Sequence, residues 1–452
     1  MVITLLTLAQ FTSAQDMKNM PGMKNKTNAG ADTIADKKND MGNMDMNNTM
    51  NNMLSLNLPM SRNGSGTSWL PDASSIYGYM VHTNKWEFMF GGEVFIRYNK
   101  QDITNAGNRG GEKWDAPDML MIMGQRKIGE KGLFHFNTMF STDAIIAGGS
   151  GYPLLFQTGE SWQGKPLVDR QHPHDLFSEL AVSYAYALSK KADLSLYAGY
   201  PGEPALGPVT FMHRPSGEFM PDAPIGHHWE DATHITFGVA TLGVRYGRFK
   251  LEGSSFTGRE PDENRYNFDK PLFDSWSGRL SFNPSANWAL QLSHGFIKSP
   301  ESLFPNENVN RTTASAAYVY SITTNKYLAV TAVWGQNVIA YQDASNSALI
   351  EATIKLKKLA LYTRYEWVQK SSEELNLNPV LFDLQMQYLV NATTIGAGYD
   401  LFKIQHVIIA GGGQVSWDHS GNVLNSLYGQ NPISGELYIH IYPELMNINI
   451  KK

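Results

Sequence analysis

The sequence predicts an all-β chain: a transmembrane, antiparallel, up-and-down β-barrel of about 16 strands with a disordered N-terminal extension. Three observations carry that expectation. From Trp86 onward, segments of about ten residues alternate apolar and polar side chains, and tight turns alternate with long polar loops, the rhythm of a barrel with short turns on one membrane side and long loops on the other. Aromatic residues make up 12% of the chain and charged residues 17%, below the charge content of an ordinary soluble domain. No apolar run reaches the length of about 18 residues that a spanning helix needs. A membrane-crossing chain of this kind must therefore close a sheet to satisfy its backbone.

Each segment follows from its composition. Residues 1–14, an apolar run closed by Thr12, Ser13 and Ala14, read as a signal peptide cleaved before Gln15. Residues 15–74 are rich in Asn, Met, Lys and Asp without periodicity, and are expected to be a disordered periplasmic segment. The barrel is expected over 75–443, with a C-terminal tail at 444–452.

Strands are expected near 86–97, 118–127, 131–142, 175–188, 192–200, 233–246, 248–258, 272–282, 286–297, 312–322, 326–337, 346–356, 359–369, 392–400, 405–417 and 434–443. The clearest hairpin runs from Ala348 to Val368, where Ile350, Ile354 and Leu361 alternate with Glu351, Lys355 and Arg364. Lys355, Lys357 and Arg364 are expected to be solvated lumen residues, and Trp86, Trp276, Trp288, Trp334 and Trp367 to sit at the membrane interface.

The chain has no cysteine, which excludes disulfides and thiolate chemistry. Its net charge of -5, without a basic block, excludes nucleic acid as a partner. Two constellations could carry chemistry. The first is a thioether tract: Met17, Met20, Met23, Met41, Met44, Met46, Met50 and Met53. Thioethers are soft ligands that favour Cu(I) or Ag(I), and a flexible chain can gather several around one ion. The second is a histidine group, His172, His174, His213, His227, His228 and His234, accompanied by Asp175 and Glu179. Alternation turns Asp175, Glu179 and His234 toward the lumen near one mouth, and imidazole with carboxylate suits Cu(II), Zn or non-haem iron. The same residues also make good loop-packing cross-links, so both readings stay open.

The Met17–Met53 tracts resemble those of the outer-membrane B component of bacterial copper-resistance systems, and the run from Arg170 to Phe177 looks like an uncharacterised group of bacterial barrels. The first resemblance implies copper as the bound ion and periplasmic metal-handling proteins as partners. The expectation is thus a non-enzymatic outer-membrane barrel handling copper or a similar soft metal, by resistance, efflux or sequestration. The alternatives are a porin-like channel or solute-uptake barrel, and an outer-membrane hydrolase. For the last, Ser293 and His294 are the nearest pair, but adjacent strand residues face opposite sides.

Overall fold

The computed structural model describes residues 50–383 and 385–446. The expected signal segment, Met17, Met20, Met23, Met41, Met44 and Met46 lie outside them. Sixteen antiparallel strands close a barrel. They are β1 (Glu87–Gln101), β2 (Asp118–Ile128), β3 (Gly132–Phe140), β4 (Phe177–Ser189), β5 (Ala192–Gly199), β6 (Val239–Tyr246), β7 (Phe249–Phe256) and β8 (Ser275–Ser285). The second half comprises β9 (Trp288–Lys298), β10 (Asn308–Thr323), β11 (Lys326–Ile339), β12 (Ser345–Leu356), β13 (Leu359–Ser371), β14 (Gln387–Ile404), β15 (Val407–His419) and β16 (Ile433–Pro443). Closure pairs β16 with β1, setting Leu437 opposite Tyr98 and Ile441 opposite Val94.

Every strand expected from the alternation is present. The largest departures are β6, whose expected first residues 233–238 remain in the preceding loop, and β14, which is longer at both ends.

The alternation is inside-out, and this decides the solvent. Along β6 and β7, Leu242 is 57% exposed and Leu251 62%, whereas Arg245, Lys250 and Glu252 are buried. A water-soluble sandwich would hide the leucines and expose the charges; only lipid outside and a polar core inside accommodate this pattern. Aromatics mark both rims. Phe249 stacks on Phe282 at 4.3 Å near the tight turns, and Trp276 and Trp417 are exposed toward the long loops. The chain is therefore an outer-membrane-type barrel.

Residues 50–74, expected to be disordered, are folded and buried inside the barrel. The expectation failed because it tested for an apolar core, whereas this segment docks on a polar one. Asn57 Nδ2 donates to Asp193 Oδ1, Thr67 Oγ1 accepts from Arg279, and Leu70 O accepts from Asn283. The C-terminal tail also starts differently: Met446 N donates to Ile76 O, so 444–446 run beside the inner segment.

Lys355 and Arg364 are buried ion-pair members rather than solvated residues. Lys355 Nζ lies 2.9 Å from Asp400 Oδ1, and Arg364 Nε lies 3.0 Å from Glu351 Oε2. The lumen has little room for water at these levels because loop 200–238 fills it.

Candidate functional site

Loop 200–238 turns into the barrel and is held there by charge. Arg97 of β1 reaches Asp222 Oδ1 at 2.5 Å, Pro221 O at 3.2 Å, Asp115 Oδ1 at 2.6 Å and Glu436 Oε2 at 3.0 Å. Arg214 Nε sits 2.8 Å from Glu351 Oε1, Ile225 N donates to Glu366 Oε1, and Ser347 Oγ donates to Glu230 Oε1. Prolines at 201, 204, 208, 221 and 224 restrict the loop backbone. A short helix, His227–Glu230, lies within it. A second inward element, the hairpin of Tyr152–Trp162 and Lys165–Gln171, leads directly to His172 and His174.

The two loops bring five imidazoles into one contiguous cluster. Ring centres are 5.1 Å apart for His227–His234, 5.4 Å for His227–His228, 5.5 Å for His174–His234 and 5.8 Å for His172–His228. Gly159, with φ +114°, permits the approach of His228: a Cβ there would sit 2.2 Å from its Nε2. His213 lines a small cavity shared with His174 and His234.

The ring nitrogens are divided by role. His174 Nδ1–H donates to Asp143 Oδ2 at 2.8 Å, His227 Nδ1–H to Asp231 Oδ1 at 2.6 Å, and His234 Nδ1–H to Asp231 O at 3.1 Å. His172 Nδ1 lies 3.1 Å from Glu160 Oε1. The Nε2 atoms of His172, His174, His213, His227, His228 and His234 are buried and have no hydrogen-bond partner. An acceptor on one ring nitrogen fixes the tautomer and leaves a directed lone pair on the other, the arrangement a metal-ligating histidine uses. Leaving a buried polar atom unsatisfied costs about 1–3 kcal/mol. Each of these ring nitrogens therefore calls for a partner, an ordered water or an ion.

The electrostatics keep most of these rings neutral. Burial depresses His172, His227, His228 and His234, and takes His213 down to about 4. His174 goes the other way: burial opposes its charge, but the bond to Asp143 outweighs burial and raises it. Burial would also raise Asp231, yet His227 and Arg214 beside it bring it down to about 2.

At the edge of the cluster, His228, Glu260 and Glu301 each offer a ligand atom within 4.8 Å of the others. His228 Nδ1 lies 3.3 Å from Glu260 Oε1 and 3.8 Å from Glu301 Oε1. Burial pushes Glu260 up to about 7 and Glu301 up to about 8. The three line a cavity of about 130 Å³ at the loop end.

The remaining expected ligands are placed elsewhere. Asp175 pairs with Arg265 at 3.4 Å, and Glu179 accepts from Tyr197 at 2.6 Å and Asn137 at 2.5 Å. They do not converge with His234, which lies on a loop turn, Ala232–His234, instead of the strand expected there. Met53 packs against Leu54, Tyr197 and Phe256, whereas Met50 joins a cluster of other methionines. Ser293 faces the lumen, and His294, on the outer face, bonds Thr312 instead.

Glu260 and Glu301 escaped the sequence reading because they lie on loops after β7 and β9 with no histidine nearby in sequence. Asp143 was equally silent as an acceptor, whereas Asp231 lies among the histidines in sequence and accepts from His227 and His234. The glycine of Thr158-Gly159-Glu160 gave no hint of the imidazole that it admits.

No known protein family matches the chain, and no curated protein matches it. Among solved structures, OmpF of Salmonella typhi in complex with daunomycin is similar at a TM-score of 0.49 and 10% identity, covering 81% of this chain and 99% of that one. OprB of Pseudomonas putida is similar at 0.45 and 10%, covering 79% and 94%. The anion-selective porin of Comamonas acidovorans is similar at 0.44 and 9%, covering 79% and 99%. These likenesses are of architecture.

Proposed function

We propose that this barrel handles a transition-metal cation of the copper class, binding it at the histidine cluster on the way through or into the lumen. The observation that supports this most is the set of six buried Nε2 atoms without partners, several backed by an acceptor on Nδ1. His172, His174, His227, His228 and His234 are the ligands, with Glu260 and Glu301 as an entry site at the loop end. Imidazole and carboxylate together suit Cu(II) or Zn. Exchange between neighbouring partial sites lets an ion move on.

The test is metal content and Cu(II) calorimetry on the full-length protein in detergent. The expected result is at least one ion per chain held tighter than about micromolar, with marked weakening in a His172→Ala, His174→Ala, His234→Ala variant that still folds. Absence of bound metal in the wild type contradicts the reading.

A second reading, porin-like solute passage, is favoured by the strand number: barrels of about 16 strands can enclose an aqueous channel. Steady conductance in planar bilayers with the inner loop in place supports that reading; a closed barrel supports the first.

A further inference from the structure

The tight-turn half of the lumen holds a chamber that the histidine reading does not use. Met119, Met121 and Met123 alternate along β2 and are buried, while Leu120 between them is exposed. They join Met50, Met60, Met89 and Met139, with Met80, Met212 and Met446 packed against them. Ten of the chain's 20 methionines thus meet in one place. Among the described residues, Ile76 is the sole other hydrophobic side chain packed on this cluster.

A hydrophobic filler explains this poorly, on three counts. The other apolar clusters inside this barrel are built from aromatic and aliphatic side chains, with at most one methionine each, so a cluster made of methionine is a departure. Leu, Ile or Val would fill a gap as well as Met, yet they are all but missing. And the methionines do not fill the space: a cavity of about 120 Å³ remains, lined by Met60, Met89, Met119, Met121, Met123 and Met212, with the carboxylates of Glu93, Glu179 and Glu218 also on its border. Two polar atoms without partners border the same cavity, His213 Nε2 and Asn137 Oδ1, and Asn137 is only 7% exposed.

We infer that this chamber is a separate site for a soft monovalent cation, Cu(I) or Ag(I), held by the thioethers of Met119, Met121 and Met123 with other lining methionines in exchange. Thioethers are neutral, polarisable ligands that select such ions over hard divalent ones. The ion binds as a monovalent cation and no electron transfer is involved. A small cavity bordered by Met119, Met139, Met212, His174, His213 and His234 lies between the chamber and the histidine cluster. Imidazoles thus predominate at the loop end, and thioethers beside the carboxylates of Glu93 and Glu218 at the tight-turn end. The inference goes beyond the histidine reading and rests on the thioethers, not on the imidazoles proposed there as ligands.

Silver is the probe, because it needs no reductant. The full-length protein, labelled with carbon-13 at the methionine methyls, is titrated with silver nitrate in detergent. The expected result is a shift of the Met119, Met121 and Met123 methyl signals. Met119→Leu, Met121→Leu and Met123→Leu together should weaken binding at this site at least about tenfold or remove one silver equivalent. Leucine nearly conserves volume, so folding should survive, and heat-resistant migration on gels checks it. The His172→Ala, His174→Ala, His234→Ala variant should keep the methyl shifts, and Met17→Leu, Met20→Leu, Met23→Leu should leave the chamber's share intact. Unmoved chamber methyls in the wild type overturn the inference, whether or not the leucine variant folds. Copper bound at the histidines with silent chamber methyls overturns this inference alone.

Discussion

The two ends of the lumen share one wall but differ in what the inner segments bring to it. At the loop end, 200–238 and 141–176 press imidazoles and carboxylates together, and the wall answers with Arg97, Glu351 and Glu366. At the tight-turn end, residues 50–77 meet a wall of thioethers from β1, β2 and β3. The first end is held by charge; at the second, thioethers predominate, with Glu93, Glu179, Glu218 and His213 also bordering the cavity. A barrel interior is thus not one environment, and the donor types divide along its axis.

The largest effect should come from removing the charge that anchors the loop. Arg97→Ala strands Asp115, Asp222 and Glu436 without their shared cation. Breaking a buried network in this way costs about 3–5 kcal/mol. Urea unfolding should show a lowered midpoint, and bilayer recordings should show new conductance as the loop loosens; an unchanged midpoint contradicts the anchoring. Next, Leu242→Arg places a charge on the lipid face and should cost about 2–4 kcal/mol if that position is near the bilayer midplane. Equal tolerance of arginine there and in an exposed loop would contradict a lipid-facing surface.

A pH series separates the two ends. Protons compete with metal at Glu260 and Glu301, which titrate near 7 and 8, so occupancy of the His228 site should fall as pH drops from about 8 to 6. The depressed histidines stay neutral and available well below the usual imidazole range near pH 6.5. Silver in the methionine chamber should be lost less steeply over the same range: a thioether has no proton to gain, although Glu93, Glu179 and Glu218 also line the cavity. Parallel loss of both ions with falling pH would erase the distinction. The smallest effect is expected at the surface pair of Lys100 and Glu112, 3.3 Å apart and partly exposed. Lys100→Ala should leave metal binding and the unfolding midpoint unchanged.

The wall was legible in the sequence because period-two alternation survives whichever solvent lies outside. Leu242, Val244 and Tyr246 against Thr241 and Arg245 say "strand" directly, and the tight turns set the hairpins. What fills the wall was not legible. Residues 50–74 read as unstructured because their Asn and Ser would find no apolar core, but Asp193, Arg279 and Asn283 supply a polar one. The histidines were visible as a cluster in sequence, whereas their acceptors Asp143 and Glu160 lie far back in the same connection as His172 and His174, the partners Glu260 and Glu301 come from other loops, and only the fold assembles them. Met119, Met121 and Met123 did carry a readable signal: apolar residues on both faces of a strand whose neighbours alternate. Attention to the N-terminal thioethers passed over it.

Under the proposed function, the lumen coordinates metal through the unpartnered imidazoles of the inner loops. Anomalous diffraction at the copper edge, from crystals of the full-length protein equilibrated with one to two equivalents of Cu(II), tests this most directly. The exposed His82, His406 and His419 provide an internal control for casual surface binding. Peaks are expected beside the Nε2 atoms of His172, His174, His227 and His234, or between His228, Glu260 and Glu301. Peaks confined to the surface histidines, with the lumen empty of copper, would contradict it.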